Sequence, residues 1–369
     1  MQTRSALEKT NVLRALCPSL RVMAFVSLCW PAVASAEDPV ASPGDAIPKE
    51  AIDVQGDLAL LPSGYVHSLK PNSAFPSWGP FSQITGDSRN GCGVLRGGIG
   101  GCWDEKGARS PAPTLFESLG KLASIAGSLS EGCAARVNGT VVCWDHGTGK
   151  ERTGPFRPII GSGWDIDAPP KPPLRFTELP GLRDVVSVTG GRSGCALHRS
   201  GSVSCWGSRM SSKAPRGLFY EATPVRVSGL SHIRQVVQDG LIRCALTKDG
   251  RVYCWGRRFV IGTSTAAELE MPFDEGPRQV SGISAAVQIS ISTASESGCA
   301  ALMSGRLMCW GAWDCNPRSD GRPRLVPNIK DVSKVLLVFP SICIAHPSAG
   351  LSCWHPCREV DLGIPPLGQ

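Results

Sequence analysis

The chain has 369 residues, with 38 Lys and Arg against 31 Asp and Glu for a formal net charge of +7, and it is rich in Gly (42), Pro (30) and Cys (16) but only 6% aromatic. Four of the basic residues and one acid fall in the first 36 positions, so 34 basic and 30 acidic residues follow, a formal +4. That balance gives nucleic-acid binding little support, and no apolar run is long enough to span a membrane.

In chain order, Arg4, Lys9, Arg14 and Arg21 lead into an apolar stretch at 22–33 and then Ala34-Ser35-Ala36. A basic region, a short apolar core and an A-x-A site in that order predict a secretory signal over 1–36, cleaved after Ala36. The stretch is interrupted by Pro31 and too short to span a bilayer. The expected destination is the medium, the periplasm or the cell envelope. Residues 37–58 are expected to be an N-terminal linker, and 59–369 the folded domain.

One motif then recurs six times: "CGVLRGGIGGCW" (92–103), "CAARVNGTVVCW" (133–144), "CALHRSGSVSCW" (195–206), "CALTKDGRVYCW" (244–255), "CAALMSGRLMCW" (299–310) and "CIAHPSAGLSCW" (343–354). The copy at 244–255 shows what it encodes. Asp249-Gly250 between two short runs marks a hairpin turn. A three-residue loop 248–250 places Leu246 opposite Val252, Ala245 opposite Tyr253 and Cys244 opposite Cys254. In a non-hydrogen-bonded pair the Cα atoms are about 4.5 Å apart, within disulfide reach. Alternation of faces turns Trp255 away from Cys254 and towards the face of Ala245. The same register pairs Cys92 with Cys102, Cys133 with Cys143, Cys195 with Cys205, Cys299 with Cys309 and Cys343 with Cys353. Gly stands six positions past the first Cys in five copies; the last has Ala349 there and Gly350 one step late, so its turn is expected to differ. A seventh, cysteine-free copy is read in "HSLKPNSAFPSWG" (67–79), with His67 and Ser77 in the two Cys positions and Trp78-Gly79 in the Trp register.

Upstream of most hairpins lies a proline-led strand followed by a β-branched run, as in "PLRFTELPGLRDVVSVTGG". The segment 113–129 has helix-like composition, but its place in the repeat predicts strand, turn, strand. Units of about four short strands, repeating every 41 to 62 residues, predict an all-β fold, a β-propeller of seven (or six) blades with intra-hairpin disulfides. The "CAL…DG.V.CWG" core resembles the regulator of chromosome condensation (RCC1) repeat family over residues 60–360, and its cysteine-bearing form is similar to secreted bacterial members. The family's usual "N..GQLG" stretch after Trp-Gly is missing here, so its partner-contacting loops cannot be transferred.

Two long joints interrupt the repeat. The first, 147–173, carries Phe156, Arg157, Trp164 and a "PPKPP" run; the second, 256–277, carries Arg257, Arg258 and Phe259. Aromatic and Arg residues on long loops are what binding hot spots favour. The competing reading is that both are tolerated insertions. Cys315 and Cys357, which follow Trp310 and Trp354, are expected to bridge neighbouring blades; metal ligation by "CWGAWDC" or "CWHPC" is the rival reading.

No G-x-S-x-G, H-E-x-x-H or phosphate-cradling glycine loop occurs. Asp145-His146 reads as a solvated pair, and Asp165 and Asp167 of "WDID" as carboxylates facing water. No catalytic residue, metal or cofactor is therefore expected. The sequence reads as an exported, monomeric, noncatalytic module that binds a protein or an envelope polymer. The alternatives are a secreted enzyme inhibitor, resembling the β-lactamase inhibitory protein of this fold, or a propeller enzyme acting on polysaccharide.

Overall fold

Alternating apolar and polar positions, broken by Gly turns, produce short antiparallel strands throughout the computed structural model. It describes residues 53–55, 58–68, 78–87, 89–104, 113–145, 173–210, 218–257, 273–313, 320–338, 341–347 and 350–356. Residues 1–36, expected to be a signal, lie outside these. The chain forms a six-bladed β-propeller of up-and-down sheets. Blade one comprises β4 (Phe81–Gly86), β5 (Gly91–Leu95), β6 (Gly100–Trp103) and β7 (Thr114–Leu115). Blade two has β8 (Leu122–Gly127), β9 (Glu131–Arg136), β10 (Val141–Asp145) and β11 (Arg175–Glu178). Blade three has β12 (Val185–Gly190), β13 (Gly194–His198), β14 (Val203–Met210) and β15 (Leu218–Arg226). Blade four has β16 (Ile233–Asp239), β17 (Ile242–Thr247), β18 (Val252–Arg257) and β19 (Phe273–Gln279). Blade five has β20 (Ala286–Ser292), β21 (Ser297–Leu302), β22 (Leu307–Gly311) and β23 (Arg324–Leu325). Blade six has β24 (Lys334–Val338), β25 (Ser341–His346) and β26 (Gly350–Trp354). The helix-like segment is indeed strand, turn, strand: β7, a 3-10 turn at Glu117–Leu119, then β8.

The six disulfides among the described residues join directly opposed residues of a blade's second and third strands, with Cα atoms 4.0–4.1 Å apart. In blade four the register is the expected one, Cys244 opposite Cys254, Ala245 opposite Tyr253 and Leu246 opposite Val252. The disulfide and the tryptophan take opposite faces of each sheet, so every boundary between blades combines the disulfide of one with the indole of the next. Trp144 packs with Cys92 and Cys102, Trp206 with Cys133, Trp255 with Cys195, and Trp310 with Cys244 and Cys254. Trp354 is half-buried against Cys299 and Cys309.

Two glycine positions serve this arrangement. The residue before the first Cys is Gly91, Gly132, Gly194 or Gly298 in four blades, directly opposite the Trp. The indole lies across it: a Cβ on Gly298 would stand 2.2 Å from Trp310 Cζ2. The turn glycine has positive φ, +83° at Gly250, and a Cβ there would meet Ala285 Cα at 2.6 Å. Its carbonyl accepts a bond from the first strand of the following blade, as in Ala286 N to Gly250 O (3.1 Å) and Ile233 N to Gly201 O (2.9 Å). A third linkage ties the innermost strands together, from a polar residue at their third position. Gln83 bonds the amide and carbonyl of Ile125, Gln235 those of Ile289, and Ser124 accepts from Val188 N.

The ring is completed by a three-stranded sheet of β1 (Asp53–Gln55), β2 (Leu58–Leu60) and β3 (Val66–Ser68). Ala59 packs on Cys343 and Cys353 of blade six, while Leu58, Leu60 and Val66 pack on Trp103 and Phe81 of blade one. Asp53–Gln55 and Leu58 fall within the stretch expected to be a linker. The cysteine-free copy is also displaced from its expected register. Leu58 lies opposite Ser68 and His67 opposite Ala59, with Gly64 at the turn (φ +89°). The copy is thus "LALLPSGYVHS" (58–68), and His67 and Ser77 are not its paired positions. Gly64 O accepts from Phe81 N at 2.7 Å, the same link that joins the blades. Trp78 lies off the hairpin, buried against Trp103 with ring centroids 5.7 Å apart. Aligning on Trp-Gly misplaced the copy because the turn glycine and the alternation set the ladder, not the indole.

Replacing both Cys244 and Cys254 with Ser is expected to lower stability by about 2–3 kcal/mol in denaturant unfolding, the loop-closure entropy of so short a loop. Gly298→Ala should cost about 1–3 kcal/mol by overpacking against Trp310; an unchanged denaturation midpoint would show that the indole does not hold that position.

Candidate interaction faces

The up-and-down order places the first-to-second and third-to-fourth connections of every blade on one face, here the loop face. The second-to-third hairpin turns and the links between blades lie on the opposite, turn face. On the loop face β10 ends at Asp145 and β11 resumes at Arg175, while β18 ends at Arg257 and β19 resumes at Phe273. Both long joints therefore spring from third strands two blades apart on the same face. Arg257 closes β18 opposite Phe273. Arg157, Trp164, Arg258 and Phe259 lie outside the described residues, as do Cys315 and Cys357.

Side chains at the loop-face ends of the described strands fasten neighbouring blades together. Asp145 accepts from Arg192 of blade three at 3.3 Å, so it is engaged between blades rather than solvated alone. Asp239 accepts from the amide and hydroxyl of Thr293 at 2.6 and 2.8 Å. Within single blades, Trp103, Trp144 and Trp206 donate their indole N–H to the carbonyls of the first-to-second loop, Asp87 O, Ser128 O and Gly191 O, at 2.7–3.0 Å.

Arg243 stands where four other blades have glycine before the first Cys. It is buried, donating to Ser208 O of blade three at 2.8 Å, and its Nε has no partner. Burial alone pulls its pKa down to about 10. A charged residue replacing glycine at a fixed repeat position is the signal that identifies it, and it shows only once the repeats are aligned by that glycine.

The turn face carries two clefts at equivalent places in adjacent blades. In blade three, about 760 Å³ is enclosed by the link 181–184, the hairpin turn 198–202, Ser204, Pro224 and Arg226. In blade four, about 370 Å³ lies among the link 229–232, the turn 247–251 and Tyr253. His198 spans the first. Its Nδ1 meets Arg183 O at 2.7 Å and its Nε2 meets Ser204 Oγ at 2.9 Å. A carbonyl only accepts, so Nδ1 donates, and in the neutral ring Nε2 accepts the hydroxyl. Arg136, at the same repeat position in blade two, likewise donates to a link carbonyl, Leu119 O, at 2.9 Å. The pair is thus a latch between link and hairpin. In the second cleft Asp249 accepts from the Thr247 hydroxyl and pairs with Arg251 at 3.1 Å. The hydroxyl first, then the guanidinium, holds its carboxyl below the usual carboxylate range.

No family model and no curated protein matches the chain. Its fold is similar to that of Prp20p from Saccharomyces cerevisiae, described together with its binding to Gsp1p and histones. That likeness has a TM-score of 0.53 and 15% identity, covering 74% of this chain and 76% of that one. It is also similar to yeast RCC1 (Prp20) in a structure with Kap60, with a TM-score of 0.50 and 18% identity, covering 82% of this chain and 68% of that one. These likenesses show the propeller fold.

Thr247→Val should raise the Asp249 carboxyl pKa towards its ordinary value in an NMR titration. An unchanged titration would mean that the hydroxyl does not set it.

Proposed function

We propose that this chain is an exported, monomeric, noncatalytic propeller that binds a partner protein or an envelope polymer through its loop face. The observation that carries the reading is the common origin of the two long joints. Arg157, Trp164, Arg257, Arg258 and Phe259 belong in sequence to joints whose flanking strands end on that face, and aromatic and guanidinium residues are the composition of a binding hot spot. Such a division, a scaffold of repeats with variable connections, is how propellers and other repeat proteins acquire partners. The RCC1 structures it resembles are described with protein partners, which supports the same class of role without naming a ligand.

Six disulfides among the described residues suit an oxidising compartment, in keeping with residues 1–36 acting as a secretory signal cleaved after Ala36. No helix among the described residues is long and apolar enough to cross a membrane. On this reading Cys315 and Cys357 form a further bridge between neighbouring blades, which non-reducing peptide mapping would detect as a linked pair.

The reading is tested with the oxidised protein from residue 37 onward, immobilised and exposed to the medium and envelope fractions of the producing cell. A variant lacking 161–173 and the double variant Arg157→Ala, Trp164→Ala run in parallel. One ligand captured saturably by the intact chain and lost from both variants, with all disulfides formed, is the expected result. Equal capture by all three would move binding off the first joint, and no capture by the intact chain would sink the proposal.

A further inference from the structure

We propose that the blade-three cleft on the turn face binds the oxyanion groups, phosphate or carboxylate, of a linear polyanion, independently of the loop face. Its walls are Arg183 from the link, Arg199 from the hairpin turn and Arg226 at the end of β15, all exposed, and its lining includes one carboxylate, Asp184. None of the ion pairs among the described residues involves these three arginines.

The neighbouring blades show that this is a local departure from the repeat. In blade two, Arg136 is neutralised by Glu178 at 2.7 Å. Glu178 lies opposite Val142, the residue before the second Cys, and in blade three the corresponding position opposite Ser204 is Arg226. A cation thus stands where the preceding blade places the compensating carboxylate. In blade four Arg251 is answered by Asp249 at 3.1 Å, and the cleft there is half the size. Blade three has both the larger cleft and the uncompensated charge.

The rest of the cleft suits the same ligand. The His198 latch holds the Arg183 backbone against the hairpin, so that guanidinium is carried on a fixed link. Hydroxyls of Ser200, Ser202 and Ser204 line it, the first two 3.0 Å apart. No Phe, Tyr or Trp is among the lining and the His198 ring is held by its two hydrogen bonds, so selection would rest on charge and forked hydrogen bonding rather than on ring stacking. Three like charges around one cleft repel one another, and an anion relieves that repulsion.

The test measures binding of short linear polyphosphate, poly-L-glutamate and neutral dextran to the oxidised protein over a range of salt. Saturable binding of a polyanion that weakens as salt rises, with none of dextran, is expected. Arg183→Gln, Arg199→Gln, Arg226→Gln together should weaken it at least about tenfold, the loss of charge-assisted bonds. The single change Arg226→Glu, which restores the carboxylate of blade two, should do the same. Arg89→Gln, Lys121→Gln, Lys330→Gln removes equal charge from exposed positions elsewhere and should leave affinity within about twofold. Binding of polyphosphate alone, polyglutamate alone or both supports the site and assigns its oxyanion. Equal loss in the control triple, full retention in the cleft variants, or no saturable binding by the unsubstituted protein overturns it. Loss of the loop-face ligand leaves this result untouched, because the cleft variants lie on the turn face, away from the strand ends at which the long joints begin.

Discussion

Each indole lying on the disulfide of the preceding blade is the contact from which the remaining architecture follows. A disulfide is compact and apolar, and it pins two strands at one spacing, so it offers the neighbouring blade a flat, stiff surface. The indole covers it with one large group, which is how a chain with few aromatics fills five such boundaries among the described residues. The arrangement leaves no room for a side chain beneath the indole, hence the glycines at 91, 132, 194 and 298. It also fixes how closely successive blades approach. The turn glycine can then offer its carbonyl to the next blade, and a single Gln or Ser on the innermost strand can reach the next backbone.

Because these linkages use backbone and a few repeated side chains, the positions on the two faces are free to vary. Blade two balances an arginine with a glutamate, blade four balances one with an aspartate, and blade three leaves its cations open. The long joints likewise occur on only some blades. Function in such a molecule is a property of differences between repeats, while stability is a property of what they share.

That division also determines what could be read from the chain. The hairpin register, the six bridges, the side on which Trp255 packs and the strand at 122–127 were all legible, because spacing and face alternation dictate them. The cysteine-free copy was misplaced because it has neither a Cys pair nor a Trp in the strand, and Leu58 with Gly64 carries a weaker signal. Arg243 was missed because its meaning lies in the contrast with glycine in other blades. The clefts were missed for a related reason. Arg183, Arg199 and Arg226 are far apart in sequence, and only the pairing of Ser204 with Arg226 brings them to one place. Arg157 and Trp164 stand out in sequence by composition, which selects residues without arranging them.

The sheet of β1 to β3 has a consequence for how the molecule comes to be made. It is the first part of the propeller to be synthesised, yet one of its faces is covered by blade six, the last. That face carries Ala59 against Cys343, Ala345, Leu351 and Cys353, contacts between segments nearly 300 residues apart. Closing so long a loop is entropically late. Among the described residues, the buried cluster at this seam has five members, against twelve between blades four and five. An emerging chain must therefore carry an uncovered apolar sheet face until its C-terminal blade is oxidised and docked. The ring has a beginning and an end in time, and the same seam that closes last is the one at which a stretched or partly reduced molecule would first come apart.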